Sequence, residues 1–374
     1  MRVELSNIND LSWDVFRKRK FYLWRYRELI PIPLDAEIFT LYEGGTPLVE
    51  ARRLGSLLHV RELYIKFEGS NPTGSFKDRG MTVAVSMAKY LGAKGVVCAS
   101  TGNTSSSMAA YARRAGIKPL IIVPKGGITK GKMSQGVLYG ATVIEISGGF
   151  DEAMSVVLKL AKDLTLYPLN SINPWRIEGQ KTVAYEIADE LGVPDWIAIP
   201  VGNGGNITAL WKGFKELKRL GLVSKLPRIL GVQAEGASPI VNAFKFGIYK
   251  PVIDPTTIAS AIRIGNPVHW ERALNALTES RGYALSVSDQ EIIEAQRMIA
   301  RLEGLGVEPA SASSIAGLYK AVELGIVGRD DTVVAIATGH ALKDPDSSLI
   351  HDAEYYEVSD SATAIELINK LVSG

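Results

Sequence analysis

Cysteine and histidine are scarce in this chain, since 374 residues contain one cysteine, Cys98, and 4 histidines. A single thiol excludes an internal disulfide bond, and so few Cys and His side chains argue against a zinc site of the usual type. We therefore expect no metal centre. Cys98 is expected to be a small core residue of the apolar segment 95–99.

An excess of charge of one sign is also lacking, since 42 Lys and Arg residues face 40 Asp and Glu residues. Without a basic field, the sequence predicts small-molecule partners and no nucleic acid. No apolar run approaches the ~18 residues of a membrane span, and the first residues, which include Arg2 and Glu4, show no apolar signal core. The expectation is a cytoplasmic protein without a membrane segment.

Basic and aromatic residues are mixed in the segment 13–29, as they also are in polynucleotide-binding surfaces. Apolar residues such as Phe16, Leu23 and Trp24 instead suit a packing surface whose charges face water. We therefore predict a docking arm or a subunit contact in this segment, and not a nucleic-acid site.

Hydrophobic residues make up 46% of the chain, which is enough for a large core, and the length favours two domains. Apolar segments alternate with amphipathic helices such as 105–115 and 150–164, a pattern typical of parallel sheets with helical crossovers. The predicted class is therefore α/β. The predicted strands are 95–99, 120–123, 142–146, 196–201, 228–233 and 332–337.

Lys77 follows a turn rich in Gly and Ser, within the segment 75–80 (SFKDRG), and stands where a helix is predicted to begin. Helix amides and partial desolvation lower the pKa of an ammonium group and favour the neutral amine that forms a Schiff base. An ordinary surface lysine is the alternative, because lysines near helix starts are common. Lys77 alone leaves both interpretations open.

A glycine-rich motif lies between the predicted strand 196–201 and a predicted helix at 207–217. Glycines allow consecutive backbone N–H groups to turn inward, and the N-terminus of the following helix adds positive potential. The motif therefore predicts a phosphate-binding loop, with a tight strand-to-helix turn as the simpler alternative. Its residues are Gly202, Asn203, Gly204, Gly205 and Asn206.

Two better-known phosphate motifs do not fit. The dinucleotide fingerprint G-x-G-x-x-G would place its last glycine at Ile207, and a nucleotide P-loop over 126–132 would need a hydroxyl residue where Met133 stands. An amine at Lys77 and a separate phosphate loop are instead what pyridoxal 5'-phosphate needs, one for its aldehyde and the other for its phosphate. We predict this cofactor.

Six spaced segments, in order, resemble those of threonine synthases within fold type II, the tryptophan synthase β-like family of pyridoxal-phosphate enzymes. The resemblance runs from about residue 23 to residue 346. The segments are 75–80 (SFKDRG), 100–105 (STGNTS), 170–181 (NSINPWRIEGQK), 261–267 (AIRIGNP), 307–312 (VEPASA) and 338–340 (TGH).

This resemblance implies two domains, each with an open, mostly parallel twisted sheet flanked by helices. Residues 1–80 and 173–374 would form a large cofactor-binding domain with an N-terminal arm, and residues 81–172 a small domain. The active site is expected between the two domains. A homodimer is the family expectation.

The resemblance also implies the roles of cofactor-binding residues. Lys77 carries the cofactor as a Schiff base and serves as the base that moves protons, and the loop 202–206 holds the cofactor phosphate. Asn103 bonds the ring hydroxyl. Thr338 meets the pyridine nitrogen, and a hydroxyl there does not by itself force that nitrogen to be protonated.

Two further groups of residues are implied to bind the substrate. Hydroxyls and amides that converge on a helix start suit a carboxylate, and an arginine fork with amide and hydroxyl donors suits a phosphate. The residues implied for the α-carboxylate are Ser100, Thr101, Asn103 and Thr104, and those for a substrate phosphate are Asn170, Ser171 and Arg176.

The implied activity is that of a carbon–oxygen lyase of threonine biosynthesis, which converts O-phospho-L-homoserine and water to L-threonine and phosphate by γ-elimination and β-replacement. Alternatives with the same cofactor are threonine or serine dehydratase, cysteate synthase and O-phosphoserine sulfhydrylase. A nucleotide-binding or hydride-transfer protein is a different class, and a non-catalytic binding protein is a third. The presence of Lys77 together with the whole glycine loop argues against the last.

Overall fold

The computed structural model describes residues 11–125, 130–160, 166–345 and 356–373. Part of the segment 126–132, compared above with a P-loop, lies outside these residues, as does the end of the helix predicted to reach residue 164. Strands alternate with helices over the described residues, and the predicted α/β class is confirmed.

Strands and helices are numbered in chain order. The strands are Leu48–Glu50 (β1), Glu62–Phe67 (β2), Gly95–Ala99 (β3), Lys118–Pro124 (β4), Thr142–Ile146 (β5), Leu166–Pro168 (β6), Trp196–Pro200 (β7), Arg228–Ala234 (β8), Tyr283–Val287 (β9) and Thr332–Ala337 (β10). The α-helices are Trp13–Arg17 (α1), Arg52–Leu57 (α2), Lys77–Tyr90 (α3), Asn103–Arg114 (α4), Lys130–Leu138 (α5), Phe150–Leu160 (α6), Pro174–Gln180 (α7), Thr182–Glu190 (α8), Gly205–Arg219 (α9), Pro239–Phe246 (α10), Trp270–Glu279 (α11), Asp289–Glu303 (α12), Pro309–Glu323 (α13) and Ser361–Ser373 (α14).

The strands form two sheets. The larger has the order β1-β2-β10-β7-β8-β9 and is parallel except for β1, which pairs antiparallel with β2. The smaller has the order β5-β4-β3-β6 and is parallel throughout. All strands of the smaller sheet fall between residues 95 and 168. The domain boundaries at 80/81 and 172/173 stay a prediction.

All six predicted strands are present, with ends shifted by at most two residues. Cys98 is fully buried in β3, within the core of the smaller sheet, as expected. Over the part of the chain that the structure describes, His, Cys, Asp and Glu residues form no cluster that could hold a metal ion. The same residues include no helix that is long and apolar enough to span a membrane.

Buried charges fix the first turn of α3, the helix that begins at the SFKDRG segment. The Arg79 guanidinium donates to Glu68 (Nε to Oε2, 2.7 Å) and to Glu186 (Nη1 to Oε1, 2.6 Å), and all three side chains are buried. The Asp78 carboxylate accepts hydrogen bonds from Thr73 and from Ser107 of α4. The start of α3 is therefore held by side chains from α4, from α8 and from the turn after β2.

The N-terminal segment packs against its own chain. Phe16 and Leu23 are fully buried, the latter in a 3-10 helix at Leu23–Leu29. Arg25 and the Tyr26 hydroxyl both donate to the Asp189 carboxylate at the end of α8. Phe16 and Leu23 thus face the core, and Arg25 binds a carboxylate of the same chain. A subunit contact in this segment stays a prediction.

Candidate active site

Lys77 is the first residue of α3, as the sequence predicts. The preceding turn contains Gly74 with φ of 84°, and the Phe76 N–H donates to the Thr338 carbonyl oxygen at the end of β10 (3.0 Å). Burial lowers the pKa of Lys77 to about 7, with a further lowering by the nearby Arg176 charge and a smaller opposing effect of Glu308. A neutral amine is therefore accessible near pH 7, as a nucleophilic lysine requires.

The glycine loop lines the same cavity as Lys77. Gly204 takes the left-handed conformation (φ 78°), and a Cβ there would lie 2.8 Å from the His269 carbonyl oxygen. Helix α9 begins at Gly205, two residues before the predicted start, so its first amides belong to the loop. The buried Asn206 Nδ2 has no hydrogen-bond partner in the described residues. These donors suit an anion.

One cavity joins these elements. It brings together Lys77, the loop 202–206, Ser171, Arg176 and Thr338, which come from four separate segments of the sequence. Parallel sheets bring loops at the carboxyl ends of their strands to one edge, and β7 and β10 are neighbours in the larger sheet.

Arg176 in α7 is a buried cation without a carboxylate partner among the described residues. Its Nη1 donates to the Leu169 carbonyl oxygen (3.1 Å), and its Nε has no hydrogen-bond partner in the part of the chain that the structure describes. Burial lowers the pKa of Arg176 to about 10. A buried guanidinium with unused donors suits an anion, because an anion would offset the remaining cost of its desolvation.

The two neighbours predicted to act with Arg176 differ in their surroundings. Ser171 lines the cavity. Asn170 is buried beside it, and its side-chain amide exchanges two hydrogen bonds with the backbone of Ala99 (3.0 Å each). Asn170 therefore joins the end of β3 to the segment that carries Ser171 and Arg176. Its direct contact with a phosphate stays a prediction.

The segment predicted to bind a carboxylate leads into α4, which begins at Asn103. The hydroxyls of Ser105 and Ser106 donate to the Gly102 carbonyl oxygen, and the Ser100 hydroxyl accepts from the Gly102 N–H (3.4 Å). Ser100, Thr101, Asn103 and Thr104 are not among the residues that line the cavity described above. The helix start is in place, and its contact with a substrate stays a prediction.

Thr338 follows β10 and lines the cavity. Its Oγ1 donates to Glu308 Oε1 (3.1 Å), and Asn103 Nδ2 donates to the other oxygen of the same carboxylate (2.9 Å). The two residues predicted to contact the cofactor ring therefore share one buried carboxylate. Burial raises the pKa of Glu308.

Three residues at this site had no role in the sequence-based prediction: Gln180, His269 and Glu308. Glu308 lies in the VEPASA segment used for the resemblance, but nothing local shows that its carboxylate meets Asn103 and Thr338. His269 Nε2 lies 2.8 Å from the Ser171 carbonyl oxygen. Gln180 is one turn after Arg176 and lines the same cavity. The i, i+4 spacing of Arg176 and Gln180 places both side chains on one face of a helix, and it is the sequence signal that could have assigned Gln180 to the site.

The residues present fit pyridoxal 5'-phosphate. A lysine whose pKa is about 7 lines the cavity, and the loop that lines the same cavity offers a left-handed glycine and, among the described residues, an unpaired buried amide at Asn206. The first group suits an aldehyde and the second suits a phosphate.

Comparison with known proteins agrees with this fit. Residues 39–339 match the family model described as pyridoxal-phosphate dependent enzyme. Among solved structures, maize serine racemase superposes with a TM-score of 0.70 at 21% identity, covering 88% of this chain and 92% of that chain. Threonine deaminase isoform 2 from Solanum lycopersicum has a TM-score of 0.69 at 26% identity, covering 82% of this chain and 86% of that chain. The fold and the site thus define a fold type II pyridoxal-phosphate-dependent enzyme.

Curated relatives show to which group of pyridoxal-phosphate-dependent enzymes the chain belongs. Threonine synthase of Methanocaldococcus jannaschii is 51% identical over 364 residues, which is 96% of this chain and 90% of the relative. Threonine synthase of Mycobacterium tuberculosis is 52% identical over 326 residues, which is 87% of this chain and 89% of the relative. The chain belongs to the threonine synthases.

Proposed function

We propose that the enzyme converts O-phospho-L-homoserine and water to L-threonine and phosphate by γ-elimination followed by β-replacement. The observation that carries this proposal is Arg176, a buried guanidinium with unused donors in the cavity that also contains Lys77 and the loop 202–206. One amine is thus flanked by two anion sites. The loop serves the cofactor phosphate and Arg176 serves the substrate phosphate.

Lys77 does the proton transfers. Pyridoxal 5'-phosphate, when bound, supplies an electron sink for negative charge at the substrate Cα and its neighbours. A Lys77 amine with a pKa of about 7 is largely unprotonated at slightly alkaline pH, so it could hold the cofactor aldehyde and could act as the base that takes the Cα proton. From its place at the start of α3 it also serves protons at Cβ.

Ser171 and Arg176 hold the phosphate that leaves from Cγ, and Asn170 fixes the backbone around them. Asn103 and its neighbours Ser100, Thr101 and Thr104 bind the α-carboxylate at the start of α4. Charges at both ends of the substrate would place Cα and Cβ beside Lys77. Closure of the small domain onto the large one would keep stray water from the reacting carbons.

The enzyme is further proposed to act as a homodimer in the cytoplasm, with Lys77 as the residue that forms the Schiff base. Resemblance to threonine synthases supports the dimer. Light scattering on a size-exclusion column measures the mass directly. A single 40.5 kDa species at micromolar concentration would contradict the dimer.

Turnover of O-phospho-L-homoserine tests the activity. Purified enzyme with pyridoxal 5'-phosphate is expected to release threonine and phosphate in equal amounts, and Lys77→Ala is expected to release neither. Lys89→Ala is the matched control, since Lys89 is an exposed lysine of the same helix. Phosphate with 2-oxobutyrate in place of threonine would indicate a dehydratase-like reaction, and turnover of O-phospho-L-serine alone would indicate cysteate or cysteine synthesis.

A further inference from the structure

Gln180, the last residue of α7, is a buried polar side chain that the proposed reaction leaves without a role. It is 3% exposed and lines the cavity that contains Lys77 and the loop 202–206. No hydrogen bond joins its side-chain amide to another described residue. An amide offers one acceptor oxygen and two N–H donors, so its burial without partners is costly until a ligand supplies them. The unpaired amide therefore indicates a bound partner in the cavity.

Helix α7 places Gln180 beside Arg176. Residues four apart lie on the same face of a helix, with their Cβ atoms about 5–6 Å apart. Both side chains line the same cavity, and Arg176 Nε also has no hydrogen-bond partner in the described residues. One anion in the cavity can therefore meet both side chains.

Gln180 is also close to the glycine loop. A Cβ on Gly205, the first residue of α9, would lie 3.9 Å from Gln180 Oε1 and 3.6 Å from His269 Cδ2. The end of the Gln180 side chain is thus within reach of an anion at the start of α9 as well as of an anion at Arg176.

The supply of hydrogen-bond donors distinguishes these two anion sites. A phosphate group has three strong acceptor oxygens. The loop 202–206 offers the first amides of α9 and the unpaired amide of Asn206. The other site has the Ser171 hydroxyl and the Arg176 guanidinium, whose Nη1 already donates to the Leu169 carbonyl oxygen. The site at Arg176 therefore needs a further donor more than the loop does.

We propose that Gln180 binds the phosphate group of the substrate together with Arg176, by donating its side-chain amide to a phosphate oxygen. The inference rests on the proposed function, which supplies that phosphate. A neutral donor suits this position, because the Arg176 charge already lowers the pKa of Lys77 and a second positive charge in the cavity would lower it further. The amide adds a hydrogen bond to the anion without adding charge.

Gln180→Met tests the inference, because methionine is similar in length and lacks the amide. In holoenzyme, KM for O-phospho-L-homoserine and the Kd of inorganic phosphate, measured by calorimetric titration, are each expected to rise about tenfold. The value of kcat should stay within about twofold and cofactor affinity within about threefold. The urea midpoint should not fall, because the free enzyme loses no hydrogen bond of this side chain.

Two further variants make the result specific. Gln296→Met is the matched contrast, since Gln296 of α12 is 2% exposed but donates its Nε2 to the Val307 carbonyl oxygen (2.7 Å). This variant should lower the urea midpoint and leave KM within about twofold. Gln180→Glu keeps the shape and replaces the donor by a negative charge, so KM should rise at least about 100-fold.

Three results for Gln180→Met would each overturn the inference: an unchanged KM, a weakening of cofactor binding equal to that of substrate binding, or a fall in urea midpoint as large as that of Gln296→Met. The first would leave Gln180 without a substrate contact, the second would assign it to the loop 202–206, and the third would make it a structural residue. The proposed function is judged separately, by threonine formation in the native enzyme. If native enzyme forms none, the phosphate titration still tests the contact.

Discussion

The Nε2 atom of His269 lies 2.8 Å from the carbonyl oxygen of Ser171. The same residue donates its backbone N–H to the Asn203 carbonyl oxygen (3.0 Å), so it joins the loop 202–206 to the segment that contains Ser171 and Arg176. Burial lowers the pKa of His269, and its neutral ring can donate Nε2–H to that carbonyl. His269 therefore links the two segments that are proposed to bind anions.

His269→Ala is expected to raise KM for O-phospho-L-homoserine about fivefold, because Ser171 loses one fixing hydrogen bond. Cofactor affinity is expected to stay within about threefold, since the backbone bond to Asn203 remains. Steady-state kinetics and a cofactor titration measure the two effects. If substrate binding and cofactor binding weaken equally, then His269 supports the whole loop and not the substrate site.

Attachment of the cofactor to Lys77 should depend on pH with a midpoint near 7. Burial and the Arg176 charge lower the Lys77 pKa, and the neutral amine is the form that attacks an aldehyde, so the rate rises as pH rises through about 7. Arg176→Gln removes a positive charge that lowers the Lys77 pKa, and it should move the midpoint to higher pH. Glu308→Gln removes a negative charge that raises the Lys77 pKa, and it should move the midpoint to lower pH. Stopped-flow absorbance gives the midpoints, and shifts in the same direction in both variants would contradict the assignment.

Arg176→Gln should separate stability from activity. Arg176 has no carboxylate partner among the described residues, and its one hydrogen bond, to the Leu169 carbonyl oxygen, repays only part of the cost of burying the guanidinium. Its removal should therefore not lower the free energy of unfolding. The loss of the substrate phosphate contact should lower kcat/KM at least about 30-fold.

Arg79→Gln is the matched contrast, because Arg79 is equally buried but paired with Glu68 and Glu186. It should cost about 3–5 kcal/mol in urea unfolding. If the Arg176 variant is destabilised by a similar amount, then Arg176 is a structural cation and the second anion site is wrong.

Gly204→Ala should weaken cofactor binding at least about tenfold, because it combines an unfavourable φ with a Cβ only 2.8 Å from the His269 carbonyl oxygen. Gly192→Ala is the control for backbone strain alone. Gly192 has a φ of 86° and no atom within 4 Å of the added Cβ among the described residues, so its variant should lose about 1 kcal/mol of stability and bind cofactor normally. Normal cofactor binding by Gly204→Ala would contradict the loop assignment.

Apolar strands that begin at turn residues were predictable, and β3, β5 and β10 have the predicted bounds. Strands β1, β2, β6 and β9 were not predicted. The reason is plain in β2, where Lys66 is fully buried and bonded to Glu186 and to the Thr46 carbonyl oxygen. A lysine inside a strand indicates a surface position unless its distant partner is known.

The site was predictable in parts and not as a whole. Lys77 and the loop 202–206 each carry local signals, a helix start and a run of glycines. The meeting of Glu308 with Asn103 and Thr338 joins residues that are 205 and 30 positions apart, so only the fold brings them together. The unpaired state of the Arg176 guanidinium among the described residues is also a property of the fold, because it depends on which carboxylates come near.

In the proposed reaction, water adds to Cβ after phosphate leaves from Cγ with its bridging oxygen. The most direct measurement is turnover of O-phospho-L-homoserine in water enriched in heavy oxygen, with mass spectrometry of both products. We predict one heavy oxygen in threonine and none in phosphate. Heavy oxygen in the phosphate, together with homoserine as the product, would show simple hydrolysis at phosphorus and would contradict the proposed reaction.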